Sequence, residues 1–295
     1  MRVLLTGWPS FPDGEATAGD VLSLRSVRSA LTSARIDNET AWSPVFRPGA
    51  MRLEDAEPSR YSHVVFVCGP AHGAQVRRLH ERFGDCHRIA AGVSVIDPED
   101  PAVTGFHRVL ARDEPGGARP DLAWHAGTTR TPVIGVALAP GQREYGGRRR
   151  HELVHGALDR WLSTLDCVRL PVDTRLDSRD WRNCATPDQF GSLLARLDAL
   201  VTTRLHGLVF GLRAGIPVLA VDPIEGGGKV TAQARALGWP ALVGAESVAE
   251  PGVLDHWWSW CLSERGRTAV HRRPPEDGLL TELVTELVTG LKEAR

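Results

Sequence analysis

Arg204 and His206 stand two positions apart in Thr203-Arg204-Leu205-His206-Gly207, between a short β-branched run ending at Thr202 and a periodic apolar stretch ending at Gly215. A strand, a turn and a helix in that order place the pair where a strand ends and a helix begins. Free N–H groups and the positive end of the helix dipole favour phosphate or carboxylate there. Arg204 adds a permanently charged fork, a contact worth ~1.5–3 kcal/mol, and His206 adds a proton donor or a further phosphate ligand. Taken alone, these residues equally suit an Arg204–carboxylate ion pair beside a helix-capping histidine.

The elements that must position them are legible on both sides. Thr186-Pro187-Asp188-Gln189 combines an N-cap, a proline at the first helical position and a capping-box glutamine, so a helix starts there. Its apolar stripe of Phe190, Leu193, Leu194 and Leu197 leads into the Asp198–Thr202 strand, and Gly215 ends the next helix before Ile216-Pro217 opens another strand. Further apolar runs at Val3–Gly7, His63–Gly69, Ile89–Ile96, Val133–Ala139, Cys167–Val172 and Val218–Asp222 read as buried parallel strands. Helical patterns intervene, such as 20–34 with Val21, Leu24, Val27 and Leu31 on one stripe. The alternation predicts an α/β fold of two Rossmann-like domains, 1–128 and 129–295, with the seam in the Gly/Thr/Pro-rich 127–132 stretch. The periodic segment from Leu279 to Leu291 is expected to be a terminal helix packed on the core.

Composition limits the partners. With 35 Lys and Arg against 36 Asp and Glu the formal charge is -1, which disfavours nucleic acid. The basic run Arg148-Arg149-Arg150 is expected on a solvated helix face, with an anionic donor or acceptor as the minor alternative and, were the acceptor lipid-linked, transient contact with a membrane surface. Five cysteines without a CxxC pair, and no signal-like or membrane-spanning run, lead us to expect a soluble cytoplasmic protein.

The stretch TPDQFGSLLARLDALVTTRLHGLVFGLRAGIPVLAVD resembles the signature block of the polysaccharide pyruvyl transferase family. Around it, Arg112-Asp113-Glu114 is similar to the family's RD-bearing strand end, Gly19-Asp20 to its N-terminal GD motif, and Gly228-Lys229-Val230 to its lysine-bearing loop. Similarity is strong only at the RLHG block. The resemblance implies a GT-B-like pair of Rossmann-type domains, the first on the acceptor side and the second holding the donor. It implies transfer of pyruvyl from phosphoenolpyruvate to two hydroxyls of a sugar or glycan, forming a ketal. Arg112, Arg204 and Lys229 would bind the donor's two anionic groups, with Gly207 beside them. His206 would protonate the methylene carbon and Asp20 or Asp113 would take a proton from the acceptor; His72, by its place in the loop after the 63–69 strand, would be a surface histidine or contact the acceptor. The donor is a substrate, so no cofactor is expected, and the reaction calls for no metal site.

Three features depart from the family or stay open. Cys68-Gly69-Pro70 stands where a run of glycines is common, and the Gly7–Gly14 loop, rich in proline and aromatics, would either stack on a sugar or brace the cleft. Gly226-Gly227-Gly228 would be a flexible connection or a mobile loop closing over the donor. The rival readings are a glycosyltransferase of the same fold using a nucleotide-sugar donor, and a non-catalytic family member that binds an anion or partner.

Overall fold

In the computed structural model, residues 1–272 and 278–293 are described, with side chains to 289. The chain divides into two compact units, Met1–Thr129 and the remainder from Arg130 onward. The strands of the first are β1 (Arg2–Thr6), β2 (Asp37–Thr40), β3 (His63–Val67), β4 (His87–Ser94), β5 (Arg108–Glu114) and β6 (Gly117–Ala118). They form one sheet in the order β2-β1-β3-β4-β5-β6, parallel except for the β5–β6 pair. Helices α1 (Ala18–Ser33), α2 (Gly73–Arg82) and α3 (Pro101–Thr104) lie in its crossovers.

The second unit holds β7 (Val133–Ala137), β8 (Val168–Pro171), β9 (Ala199–Thr202), β10 (Val218–Asp222) and β11 (Leu242–Gly244), all parallel, in the order β11-β10-β9-β7-β8. Its helices are α4 (His151–Thr164), α5 (Pro187–Leu194), α6 (Leu205–Arg213), α7 (Lys229–Ala236), α8 (Val253–Leu262), α9 (Glu264–Ala269) and α10 (Leu279–Glu293). The first five strands of each unit follow the same doubly wound order, 2-1-3-4-5. Two Rossmann-like α/β units in tandem are therefore present. In each, the order reverses beside the first strand, so a crevice opens past the carboxyl ends of β1 and β3 in one unit and of β7 and β9 in the other.

Burial explains why these segments are strands. β9 and β10 are buried along their whole length, as continuous Val/Leu/Ala runs must be when helices cover both faces. Each unit has its own core; Leu158, Leu194, Leu200, Leu208 and Leu219 are fully buried in the second, and Leu4, Phe66 and Phe83 in the first. β2 and β11 escape a search for apolar runs. The first reads Asp-Asn-Glu-Thr on a sheet edge and the second is only three residues long.

The terminal helix differs from expectation. α10 forms, but Leu280, Leu283, Leu287 and Val288 are 77%, 55%, 60% and 47% exposed, so its apolar stripe is not packed into the core. Periodicity fixes the helix and its stripe; it does not supply a surface to cover that stripe. Among the described residues no helix is long and apolar enough to cross a membrane.

Candidate functional site

The crevice of the second unit is built by two threonines and a buried aspartate. Thr202 donates to the Ala137 carbonyl (2.9 Å) and accepts the Arg204 N–H (3.0 Å), while the Thr203 hydroxyl accepts from the Ala139 N–H (2.7 Å). These bonds fasten the end of β9 to the loop leaving β7 and start α6 with Arg204 as its N-cap. Gly207 has to be glycine here, because a Cβ would lie 2.2 Å from Thr202 Oγ1.

Arg204 is half-buried and held on three sides. Its Nε donates to the Leu138 carbonyl (3.0 Å), one terminal nitrogen to Thr174 (3.2 Å), and the other lies 3.1 Å from an Asp173 oxygen. The guanidinium is thus fixed in place with N–H groups to spare, since it carries five. The ion pair foreseen for Arg204 exists, and its partner, Asp173, escaped the sequence reading because the loop after β8 carries no recognisable spacing. His206 is exposed one residue into α6, its ring stacked on Phe210 at 5.8 Å.

Lys229 opens α7 and lies 3.6 Å from Glu144. The glycine tract before it is neither a free connection nor a loose lid. Asp222, 1% exposed, accepts from the backbone N–H groups of Ile224 (3.1 Å), Gly228 (2.7 Å) and Thr231 (2.8 Å), winding the loop around one carboxylate. Gly226 and Gly227, at φ of 71° and 85°, make that winding attainable. Arg204, His206 and Lys229 together line a cavity of about 270 Å³ with Gln142, Glu144 and Thr174. With two cations and the amino ends of α6 and α7, it is suited to a small dianion.

The remaining predicted residues lie in the first unit. Arg112 binds Asp113 (2.5 Å), Asp121 (2.8 Å) and Ser94 (2.6 Å), and Asp113 is held below the usual carboxylate range by its bonds to Arg112 and Ser94. Asp20 caps α1 through a capping box with Thr17, whose hydroxyl donates to it at 2.7 Å. Cys68, in the left-handed region at φ 66°, sits close to Asp20 and Ser23. Burial pushes the Cys68 thiol up. His72 is the N-cap of α2 and pairs with Asp100 at 2.6 Å. The aromatic loop is a brace: Phe11 is buried against Phe66, and Trp8 packs edge-on to Phe11 while donating to the Pro70 carbonyl (3.1 Å).

The basic run does not form a helix face. Arg148, Arg149 and Arg150 precede α4, and Arg150 pairs with Glu225. The chain past them reads His151-Glu152-Leu153-Val154-His155, an HExxH spacing that the expectation of no metal site overlooks. A catalytic zinc takes three protein ligands, and among the described residues no group of three or more His, Cys, Asp or Glu could hold a metal ion.

The model of the polysaccharide pyruvyl transferase family matches residues 166–224, the segment from the end of α4's loop through β10 that contains Asp173, Arg204, His206 and Asp222. No curated protein matches the chain. Among solved structures, spinosyn rhamnosyltransferase SpnG complexed with thymidine diphosphate is 14% identical, with 92% of this chain and 94% of that one covered and a TM-score of 0.31. The UDP-GlcNAc 2-epimerase from Methanocaldococcus jannaschii, in complex with UDP-GlcNAc and UDP, is 11% identical over 98% of this chain and 99% of that one, with a TM-score of 0.37. The ADP-heptose lps heptosyltransferase II of E. coli is 15% identical over 89% and 98%, with a TM-score of 0.28.

Proposed function

We propose that this protein is a transferase that moves pyruvyl from phosphoenolpyruvate to two hydroxyls of a sugar, with the Arg204–His206–Lys229 cavity as the donor site. The observation that carries the reading is the convergence of two cations, an exposed imidazole and two helix amino ends on one small cavity; Arg204, His206 and the start of α6 fall within the segment matched by the pyruvyl transferase model, and Lys229 follows it. Phosphoenolpyruvate carries a phosphate and a carboxylate on one enol carbon. A fork at Arg204 and a point charge at Lys229 suit those two groups separately.

In this reading His206 protonates the methylene carbon, and the central carbon accepts one sugar hydroxyl. Phosphate then leaves with the C–O bond electrons, and a second hydroxyl closes the ketal. Of the two hydroxyl protons released, one balances the proton given to the methylene and the other goes to the departing phosphate. Asp20, Asp113, Arg112 and His72 stay with their partners in the first unit, Thr17, Arg112, Asp121 and Asp100, and take no part in this assignment. The test is phosphate release from phosphoenolpyruvate in the presence of sugar acceptors, with wild type and His206→Ala compared. Acceptor-dependent release that His206→Ala lowers by ~10²-fold or more is expected for a general acid. Full release by the variant would remove His206 from the mechanism.

A nucleotide-sugar glycosyltransferase is the second reading, favoured by one observation. The Arg204 cavity shares the Pro140 and Gly141 walls with a larger cavity at the start of α4, and the two together have room for a diphosphate and its substituents. Tight nucleoside diphosphate binding with no response to phosphoenolpyruvate would select it.

A further inference from the structure

The larger cavity, about 610 Å³, is lined by Arg149, Arg150, His151, Glu152 and His155 at the amino end of α4. His151 is 7% exposed, and among the described residues neither of its ring nitrogens has a hydrogen-bond partner; the buried Nε2 of His155 has none there either. Spaced four residues apart, the rings share one face of α4 and meet edge to face at 5.9 Å. Burial lowers both pKa values, with each other and Arg149 adding to the effect at His151, so both rings are neutral near pH 7. A neutral imidazole offers one donor and one acceptor, the pair of functions a hydroxyl satisfies. Leaving such groups buried and unmatched is costly, so the arrangement is built for a polar ligand.

The charge around the rings sets the ligand's sign. Among the described residues Arg149 uses only its Nε, donating to the Gly146 carbonyl at 3.0 Å. No side chain caps the first turn of α4, so its N–H groups and dipole face the cavity as well. Against the one lining carboxylate, Glu152, stand Arg149, Arg150 and the helix amino end, a balance that favours a phosphate over a divalent cation, and among the described residues the two imidazoles lack the third protein ligand a zinc site requires.

We infer that this cavity is the acceptor site and that the acceptor arrives as a sugar phosphate, its hydroxyls meeting His151 and His155 and its phosphate meeting Arg149 and the start of α4. The inference rests on the donor assignment above, because the shared Pro140–Gly141 wall puts the sugar beside the Arg204 cavity. The ligand class is a hexose monophosphate or the same unit within a diphosphate-linked sugar.

The test uses full-length protein with nitrogen-labelled histidines, followed by NMR and calorimetry as galactose, inorganic phosphate and the 1-phosphates of glucose, galactose and mannose are added in turn. At least one sugar phosphate should move the His151 and His155 ring resonances and bind at least about tenfold more tightly than phosphate or galactose alone. Arg149→Ala and His151→Gln should each weaken it by about tenfold or more, the loss of one charged or buried hydrogen-bonding group. Arg149 is exposed, so its variant keeps the fold and the test stands even if His151→Gln does not fold. Affinity for phosphoenolpyruvate, measured on the same samples, should stay within about twofold of wild type. Failure of every sugar phosphate to bind, or binding indifferent to both substitutions, overturns the inference. So does one equivalent of zinc moving both rings when no sugar phosphate does. Loss of phosphoenolpyruvate binding by the wild type instead overturns the donor assignment, independently of the sugar result.

Discussion

Replacing Arg204 isolates the donor site from the scaffold that holds it. The guanidinium donates to Leu138 and Thr174 and pairs with Asp173, so Arg204→Ala removes both a ligand contact and three scaffold contacts. The ligand part is a charge-assisted bidentate contact of ~1.5–3 kcal/mol, which at ~1.4 kcal/mol per decade is a roughly 10- to 150-fold loss of phosphoenolpyruvate affinity. The scaffold part is smaller: Asp173 is 31% exposed, so water takes over much of its pairing and stability should fall by only ~1 kcal/mol. Arg204→Lys keeps the charge without the fork and should recover only part of the affinity. Asp173→Asn keeps the guanidinium but loosens it, giving a loss smaller than Arg204→Ala. Calorimetric titration of phosphoenolpyruvate, paired with urea unfolding of each variant, separates the two contributions. Affinity within twofold of wild type in a folded Arg204→Ala protein would refute the reasoning.

Other expectations follow from the same geometry. Gly207→Ala would set a Cβ 2.2 Å from Thr202 Oγ1 and should destabilise by ~1–3 kcal/mol while displacing the Arg204 backbone that Thr202 holds; denaturation and ligand titration read the two effects. Asp222→Ala strands three backbone N–H groups around the glycine loop and should cost ~3 kcal/mol or more in urea unfolding. His151 and His155 have folded pKa values below the unfolded 6.5, with Asp222 and Glu144 opposing the fall at His151 and Asp159 at His155. The unfolded chain therefore binds protons first, so their contribution to stability is complete above about pH 6.5 and is lost as pH falls below it. Unfolding free energies across that range should drop more steeply for wild type than for a His151→Gln/His155→Gln variant. Cys261, buried with its thiol pushed up to about 12, should resist thiol reagents in native protein at pH 8 and react once the protein is unfolded.

Local chemistry in the second unit was readable because several levels agree there. Thr186-Pro187 starts α5, the apolar stripe buries Phe190 and Leu194, and Gly215 at φ 76° follows α6. What the sequence could not show is what crosses between loops. Asp173 reaches Arg204 from the loop after β8, and Asp222 organises a glycine tract that reads as flexible in isolation. The HELVH segment was there to be read, but which neighbours its rings have depends on the turn that brings Arg149 and the Pro140-Gly141 loop beside them. The exposed stripe of α10 is the opposite case, a clear period whose covering surface no local pattern specifies. In the first unit, Asp20 and Arg112 are held by Thr17 and by Asp113 and Asp121, so their capping and ion-pair roles are visible in the fold.

The most direct test of the donor assignment is a side-by-side titration of phosphoenolpyruvate and uridine diphosphate into the wild-type protein. Saturable binding of phosphoenolpyruvate that uridine diphosphate does not displace is the predicted result; tight binding of the nucleotide with no response to phosphoenolpyruvate would contradict it.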